Sequence, residues 1–272
     1  MAELVDRAPE IADRVRGHTA AIVGALRALD DAGLRAPSSL PGWDRLTIAC
    51  HLRYGAVALA RMTGAATSGR ATAYYPGGRD RERPATLEPR PGESASDVVE
   101  SLAARSHQLD AAWSALMTEQ WGVAVQEPRE QTDLGPLLLA AHALLRLTEV
   151  EVHGLDLDVG LDRWSDLFVE LALPFRLAWL NTRRANRRPA DRHLRGSWRL
   201  QATDGAAWVV TFDGHQVRSD VASPTAEPAT AVIEASRRDL LALILGRPCV
   251  HPPRVSGDAA FAAAFGSAVP GP

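Results

Sequence analysis

Hydrophobic residues recur every three or four positions through most of the first half of the chain, which is the spacing of amphipathic helices. The segments with this pattern cover 3–32, 44–64, 94–117 and 132–158. Asp44 is a suitable N-cap for the second segment, and either Ser94 or Ser96 is suitable for the third, while Pro136 suits the first turn of the fourth. Four long amphipathic helices predict a four-helix bundle.

The second half of the chain changes character, because short strand patterns replace much of the helical spacing. The predicted elements are helices over 165–182, 236–246 and 257–265 and strands over 196–202, 207–212, 216–220 and 229–235. Asp204-Gly205 and Asp213-Gly214 supply hairpin turns. We therefore predict an α+β protein that is mainly helical, with a four-helix bundle over 1–160 and a small α+β domain with an antiparallel sheet over 161–272.

A polar stretch rich in Gly, Pro and Arg, residues 65–93, separates the second predicted helix from the third. A connection of this length is usually functional or mobile, and it is long enough to cross the length of a bundle. Arg79, Arg81 and Arg83 follow directly after a Gly-Gly turn in this stretch. The segment is therefore either a loop that closes over a site in the bundle or a mobile surface loop.

The composition restricts the chemistry. The chain has 272 residues, is 46% hydrophobic and carries a formal net charge of −3, which indicates a globular protein and argues against a nucleic-acid partner. No apolar run approaches the roughly 18 residues of a membrane span, and the acidic start is unlike a signal peptide. All 30 basic residues are arginine, which excludes Schiff-base and P-loop lysines. Because Cys50 and Cys249 lie far apart, we expect a reducing cytoplasm.

The fourth helix carries polar residues on the face that should enter the bundle core. At about 100° per residue, His142, Glu149 and His153 fall on one side of the helix, whereas Glu151 faces away from Glu149. A carboxylate on that face is costly unless it is paired or binds a metal ion. The i, i+4 spacing of Glu149 and His153 suits either one shared ion or an exposed helical pair. His142 lies about two turns from Glu149, which favours a place in the core.

A metal site in a bundle needs ligands from facing helices. His51 lies two turns into the second helix among apolar residues, where a histidine on its own is typical of the core. Together with Glu149 and His153 it provides two imidazoles and one carboxylate, a common donor set of catalytic zinc with an open fourth position. We therefore predict that these three residues hold a divalent metal ion, with zinc as the favoured ion.

Three motifs together resemble the mycothiol-dependent maleylpyruvate isomerase family. These motifs are Gly42-Trp43-x7-His51-Leu52, Tyr75-Pro76-Gly77-Gly78 and Glu149-x3-His153-Gly154-x-Asp156-Leu157. The resemblance implies a DinB-like four-helix bundle followed by a smaller α/β domain, with a divalent metal, usually zinc, held by His51, Glu149 and His153. It also implies mycothiol as the thiol cofactor or co-substrate. The arginine-rich, lysine-free composition agrees with this, since mycothiol occurs in GC-rich actinobacteria.

The resemblance also implies further site residues. An arginine of the C-terminal domain is expected at the active site, and the candidates are Arg237, Arg238, Arg247 and Arg254. Tyr75, Arg79 and Arg81 are the residues expected to bind mycothiol. Seven more arginines in 183–199 form either a clamp for a substrate carboxylate or a solvated face: Arg183, Arg184, Arg187, Arg188, Arg192, Arg195 and Arg199. The tryptophans Trp43, Trp113, Trp121 and Trp179 stand at helical positions that favour core packing.

The leading functional hypothesis is a metalloenzyme that activates mycothiol for addition or S-transfer to a small electrophilic substrate. Isomerases and S-transferases of the family need the same metal site, so the motifs do not separate the two reactions. One alternative is an S-transferase of antibiotic biosynthesis that exchanges ergothioneine for mycothiol on a lincosamide-type sugar. The others are a metal-dependent hydrolase, in which the ion activates water, and a non-enzymatic protein that binds a small molecule.

Overall fold

The computed structural model describes residues 2–128, 136–181, 194–223 and 228–269. The chain divides into two compact units, Met1–Ser165 and Asp166–Pro272. Among the described residues, the first unit is mainly helical, and the second combines helices with a sheet. No helix in the described part of the chain is both long and apolar enough to cross a bilayer.

The first unit is a bundle of four long helices with short elements between them. Its helices in chain order are α1 (Ala2–Arg27), α2 (Asp31–Leu34), α3 (Arg45–Thr67), α4 (Arg79–Thr86), α5 (Ala95–Ser114) and α6 (Leu139–Asp156), with a 3-10 turn at Thr118–Gly122. The long helices are α1, α3, α5 and α6, and each of α1 and α3 packs against both α5 and α6. The predicted four-helix bundle is therefore confirmed.

Local caps decide where the helices begin and end. The helix predicted over 3–32 stops at Arg27. Asp30 then begins the separate helix α2, because its side chain accepts a hydrogen bond from the backbone N–H of Gly33 at 2.7 Å. Of the two serines considered for the third long helix, Ser94 is the N-cap of α5 and forms a capping box with Asp97.

The segments around the polar stretch differ more from the sequence pattern. Residues 65–93 are not a loop throughout, because α4 lies within them. The helical spacing did not reveal α4, since this helix is short, polar and has no buried side chain. The helix α6 begins at Leu139, so Pro136 precedes it and does not lie in its first turn. The predicted start at 132 or 133 lies outside the described residues.

The second unit is a mixed sheet with helices. Its elements in chain order are α7 (Asp166–Trp179), β1 (Gly196–Ala202), β2 (Ala207–Phe212), β3 (Val217–Val221), β4 (Ala231–Ala235), α8 (Arg237–Ile244), β5 (Arg254–Gly257), α9 (Ala259–Ala263) and α10 (Phe265–Ala268). The described strands follow the order β3-β2-β1-β4-β5. The predicted hairpins join β1 to β2 and β2 to β3.

One strand pair departs from the predicted antiparallel arrangement. The strands β1 and β4 are parallel, whereas the other paired strands that the structure describes are antiparallel. The reason is that β4 joins the free edge of β1 only after the chain has completed a three-stranded meander. The sequence pattern also missed β5, because all four of its residues are exposed and show no alternation.

The helix α6 is buried around almost its whole circumference. Its buried residues include the apolar Leu147 and Val150 and also the charged Arg146 and Glu151. Because such a helix has little solvent-facing surface, its polar side chains must find partners inside the protein or belong to a site.

The N-cap of α3 generates a stability prediction. The Asp44 carboxylate accepts a hydrogen bond from the backbone N–H of Thr47 at 2.6 Å. Asp44→Ala should lower the free energy of unfolding by about 1 kcal/mol, because a first-turn donor loses its partner. Urea denaturation followed by circular dichroism measures this change. The matched control is Asp44→Ser, which can accept the same bond and should stay close to wild type; an equal loss in both variants would contradict the capping role.

Candidate metal centre

Three side chains from two facing helices converge inside the first unit. Nε2 of His51 on α3 lies 2.6 Å from Oε2 of Glu149 on α6, and Nε2 of His153 lies 3.5 Å from the same oxygen. One nitrogen or oxygen atom from each of the three residues lies within 4.8 Å of the others. The structure thus brings together the three residues that helical spacing selected as candidate metal ligands.

The position of each side chain follows from its helix. Glu149 and His153 are one turn apart on α6, so their side chains leave the same face. His51 lies about two turns beyond the Asp44 cap, well inside α3, where the helix backbone fixes the direction of its side chain. The three donors therefore depend on regular helices rather than on loops.

Trp43 forms an aromatic wall beside the three donors. Its ring stacks on His153 with a centroid distance of 5.9 Å and an interplanar angle of 13°, and it meets His51 edge-on at 5.4 Å. The guanidinium of Arg83 on α4 lies 5.7 Å from the centroid of the same ring. The helical position of Trp43 favoured a core role, but the structure places this ring against two candidate ligands.

Asp156 fixes the orientation of His153. Its Oδ2 atom lies 2.9 Å from Nδ1 of His153, and the carboxylate is buried. A carboxylate that accepts a hydrogen bond from Nδ1–H leaves Nε2 to face the candidate metal position, which is the usual arrangement around metal-binding histidines. Asp156 thus acts on the centre through His153.

The electrostatics of the cluster favour an ionised carboxylate. Burial lowers the pKa of His51, although the hydrogen bond to Glu149 opposes the shift. Burial would also lower the pKa of His153, but hydrogen bonds to Asp156 and Glu149 outweigh it and raise this pKa to about 9. Burial would raise the pKa of Glu149, but hydrogen bonds with His153 and His51 hold it well below its usual value. Glu149 therefore carries the negative charge that a cation needs.

The donor set fits a divalent ion such as zinc. Two imidazole nitrogens and one carboxylate oxygen suit zinc better than calcium or magnesium, which prefer oxygen ligands. The side chains of His51, His153 and Glu149 are 15%, 11% and 39% exposed. The carboxylate can therefore be reached from solvent, while the two imidazoles are held largely inside the bundle.

Two other polar residues of α6 lie away from the centre. His142 is buried, its Nδ1 lies 3.1 Å from the carbonyl oxygen of Leu138, and burial lowers its pKa to about 4. Glu151 faces away from Glu149, as the helical angle predicted, but it does not reach solvent. Its carboxylate is fully buried and accepts hydrogen bonds from Ser165 and Arg14.

The residues proposed from the motif loop point in different directions. Tyr75 is buried and therefore presents little surface to a ligand. The guanidinium of Arg79 lies 5.8 Å from the centroid of the Tyr75 ring, and Arg81 turns back onto the backbone of the loop. Arg83 is the loop arginine placed against Trp43. The assignment of Tyr75, Arg79 and Arg81 to mycothiol binding stays a prediction.

The C-terminal arginines that the resemblance suggested all lie in the second unit. Arg237 and Arg254 pair with acidic side chains at 2.5 and 3.7 Å, and Arg247 donates to a backbone carbonyl at 3.2 Å. The catalytic role of Arg237, Arg238 and Arg247 stays a prediction. Within 183–199, Arg195 and Arg199 are described, whereas the residues outside the described part are Arg183, Arg184, Arg187, Arg188 and Arg192.

Asp156 and Arg146 are two candidate functional residues to which no role was assigned from the sequence. Asp156 lies three residues after His153, and that spacing is a usable signal for a carboxylate supporting a histidine ligand. Arg146 lies one turn before Glu149 within an otherwise apolar run, so it too could have been singled out as a charge on the site face.

The first unit is a helical bundle with a candidate centre for a divalent ion. Its sequence over residues 15–158 matches the mycothiol maleylpyruvate isomerase N-terminal domain. Because the match covers more than half of the chain, the chain belongs to this family. No curated protein matches the sequence.

The fold is similar to that of solved structures over nearly the whole chain. One is described as the crystal structure of the mycothiol-dependent maleylpyruvate isomerase; it matches with a TM-score of 0.64 and 19% identity, covering 93% of this chain and 94% of that chain. Another is a variant of that enzyme in which a histidine is replaced by alanine; it matches with a TM-score of 0.61 and 18% identity over the same shares. These matches confirm the fold class.

The two carboxylates of α6, the partly exposed Glu149 and the buried Glu151, give opposite predictions. Glu149→Ala should abolish binding of zinc, because it removes the anionic donor from the candidate centre. Glu151→Ala should keep zinc bound but lower the free energy of unfolding by about 1–3 kcal/mol, because the donors of Ser165 and Arg14 lose their acceptor. Metal analysis after dialysis and urea denaturation measure the two effects. Equal loss of zinc from both variants would refute the division between them.

Asp156 gives a prediction about metal affinity. Asp156→Asn should weaken zinc binding by about 10–100-fold, because His153 loses the carboxylate that orients it and increases its basicity. Competition against a fluorescent zinc chelator measures the affinity. The control is Asp158→Asn, which changes a carboxylate that is 81% exposed and should leave the affinity unchanged. A similar change in both variants would remove Asp156 from the metal centre.

Proposed function

We propose that the chain is a mycothiol-dependent enzyme in which a divalent metal ion, held by His51, Glu149 and His153, activates the thiol for reaction with a small electrophilic substrate. The observation that carries this proposal is the convergence of three suitable donors in a member of the mycothiol maleylpyruvate isomerase family. The similar fold of a mycothiol-dependent maleylpyruvate isomerase supports it. Zinc is the ion that the donor set favours.

The roles of the residues follow from their chemistry. The ion would supply a Lewis acid at which a thiol loses its proton near neutral pH. His51 and His153 would supply nitrogen donors in their neutral forms, so His153, with its raised pKa, would lose a proton when the ion binds. Glu149 is the single anionic donor. One carboxylate does not cancel the charge of a divalent ion, so the centre favours an anionic ligand such as a thiolate. Asp156 keeps His153 oriented, and Trp43 limits the access of water on one side.

Addition and S-transfer start from the same nucleophile. In addition, the sulfur bonds to a carbon of a C=C bond conjugated with a carbonyl, and the electron pair moves to the carbonyl oxygen. After rotation about the resulting single bond, return of that pair expels the thiolate and leaves the isomerised product. In S-transfer, the sulfur bonds to carbon while another thiolate leaves with the bonding pair. Mycothiol is regenerated in the first reaction and consumed in the second.

Further contacts complete the proposal. The residues we assign are Tyr75, Arg79 and Arg81 for binding mycothiol and Arg237, Arg238 and Arg247 for catalysis. Arg83 adds a cation beside Trp43 at the edge of the centre. Cys50 and Cys249 are free thiols, which supports a reducing cytoplasm as the place of the reaction.

Mycothiol titration of the cobalt-loaded protein tests the central step. We expect cobalt to bind and mycothiol to produce a sulfur-to-cobalt charge-transfer band, because the thiol should bind the metal as the thiolate. The band should be absent from Glu149→Ala, which lacks the anionic donor. Failure of the wild-type protein to bind any divalent ion would overturn the proposal.

Turnover assays then separate the reactions. Isomerisation of maleylpyruvate without loss of mycothiol supports addition, and replacement of ergothioneine by mycothiol on a sugar conjugate supports S-transfer. A bound metal that gives no charge-transfer band at saturating mycothiol, together with hydrolysis of an ester or amide, would favour the hydrolase instead.

A further inference from the structure

A second contact between α3 and α6 lies about one helical turn away from the candidate metal centre. Gly55 is one turn after His51 on α3, and Arg146 is one turn before Glu149 on α6. Nη1 of Arg146 lies only 2.9 Å from the position that a Cβ atom on Gly55 would occupy. The contact between His51 and Glu149 and the contact between Gly55 and Arg146 are therefore successive levels of the same antiparallel helix pair.

Gly55 makes room for this guanidinium. A Cβ atom there would meet Nη1 of Arg146 at 2.9 Å, closer than Cβ atoms normally approach other groups, and the hydroxyl oxygen of Tyr74 at 3.1 Å, which is a tight contact. Glycine weakens a helix interior, because it has more backbone freedom to lose on folding than any other residue. Gly55 therefore lowers the stability of α3 at the level where the guanidinium of Arg146 contacts this helix.

Arg146 is a buried charge that forms no ion pair with an acidic side chain in the described part of the chain. The residue is 1% exposed, and Nη1 donates to the backbone carbonyl of Leu52 at 2.9 Å. Its Nε and Nη2 atoms have no hydrogen-bond partner among the described residues. Burial lowers the pKa of this guanidinium, but Tyr74, Glu149 and Asp110 oppose the shift through longer-range charge interactions. An arginine remains protonated under these conditions, so the positive charge stays in the bundle.

Another buried arginine, Arg53, shows how a buried guanidinium is usually stabilised, namely by an ion pair. Arg53 on α3 is also buried, but its Nη1 donates to both carboxylate oxygens of Glu93 at 2.9 and 2.8 Å. A buried charge is stabilised when it is paired and hydrogen-bonded, and is costly when it is not. A purely structural arginine is expected to resemble Arg53. Arg146 differs by having its charge unpaired and one turn from the donors of a candidate metal site.

We propose that Arg146 is an electrostatic positioning residue of the metal centre, whose charge strengthens the binding of anionic ligands at the open side of the ion. Arg146 forms no hydrogen bond with His51, Glu149 or His153 among the described contacts, so it acts through its field and not as a ligand. Its charge adds to the positive charge that a divalent ion retains beside one carboxylate. This inference rests on the proposed metal site, and it extends that proposal by assigning the source of its preference for anions such as thiolates.

Azide binding to the cobalt-loaded protein tests the inference. Azide is a small anionic ligand whose coordination changes the visible spectrum of cobalt, and its use requires neither mycothiol nor turnover. Arg146→Met should weaken azide binding by about tenfold or more, because a nearby positive charge in a poorly screened site is lost. Arg146→Lys should recover much of the affinity, since it restores the charge.

Arg53→Met is the matched control. It removes a buried guanidinium from the same bundle, so it should leave azide affinity unchanged while lowering the melting temperature, because Glu93 loses its partner. Arg146→Met should melt at or above the wild-type temperature when no anion is present, because an unpaired buried charge is replaced by an apolar side chain. This difference distinguishes an electrostatic role from a structural one.

The outcomes separate this inference from the proposed function. Cobalt binding with equal azide affinity in wild type and Arg146→Met overturns the role of Arg146 and leaves the metal centre intact. An equal loss of azide affinity in Arg53→Met also overturns the role of Arg146, because the effect would then not be specific to the charge of Arg146. Failure of the wild-type protein to bind cobalt overturns both proposals.

Discussion

The antiparallel packing of α3 against α6 sets the positions of the three donors in the candidate metal centre. At one level His51 meets Glu149 at 2.6 Å, and one turn further Gly55 receives the guanidinium of Arg146. A shift of one residue along either helix would rotate a donor by about 100° out of this line. The spacing of the donors therefore depends on the register of two helices, and that register is maintained by the apolar packing of the bundle around them.

Two carboxylates on α6 show how an acidic group inside a bundle can serve either structure or a site. Glu151 accepts hydrogen bonds from Ser165 and Arg14, so its oxygens are occupied by donors that stabilise the folded chain. Glu149 faces two imidazoles, whose nitrogens could equally serve a metal ion. Burial alone does not identify a functional carboxylate. A structural carboxylate is bonded by ordinary hydrogen-bond donors, whereas a functional one faces groups that could bind the same metal ion.

The sequence predicted those parts of the structure that depend on local spacing. The capping role of Asp44 and the common face of Glu149 and His153 follow from one helix at a time, so periodicity was sufficient for both. The contact of Trp43 with both histidines depends on tertiary packing, and α4 has no buried face from which to be recognised. The parallel pairing of β1 with β4 was also missed, because it joins strands that are distant in the chain.

The proposed centre specifies the type of nucleophile, a thiolate. It specifies less about the reaction that this thiolate then undergoes. Its donors and Asp156 would serve any thiol that must lose a proton, so the choice between addition and S-transfer must depend on groups that contact the second substrate. In the second unit taken by itself, Arg237 lies close to Asp204 and Arg254 to Glu234. Both guanidinium groups are partly solvated. An added carboxylate could therefore replace either acidic partner with less reorganisation than exposing a buried charge would require.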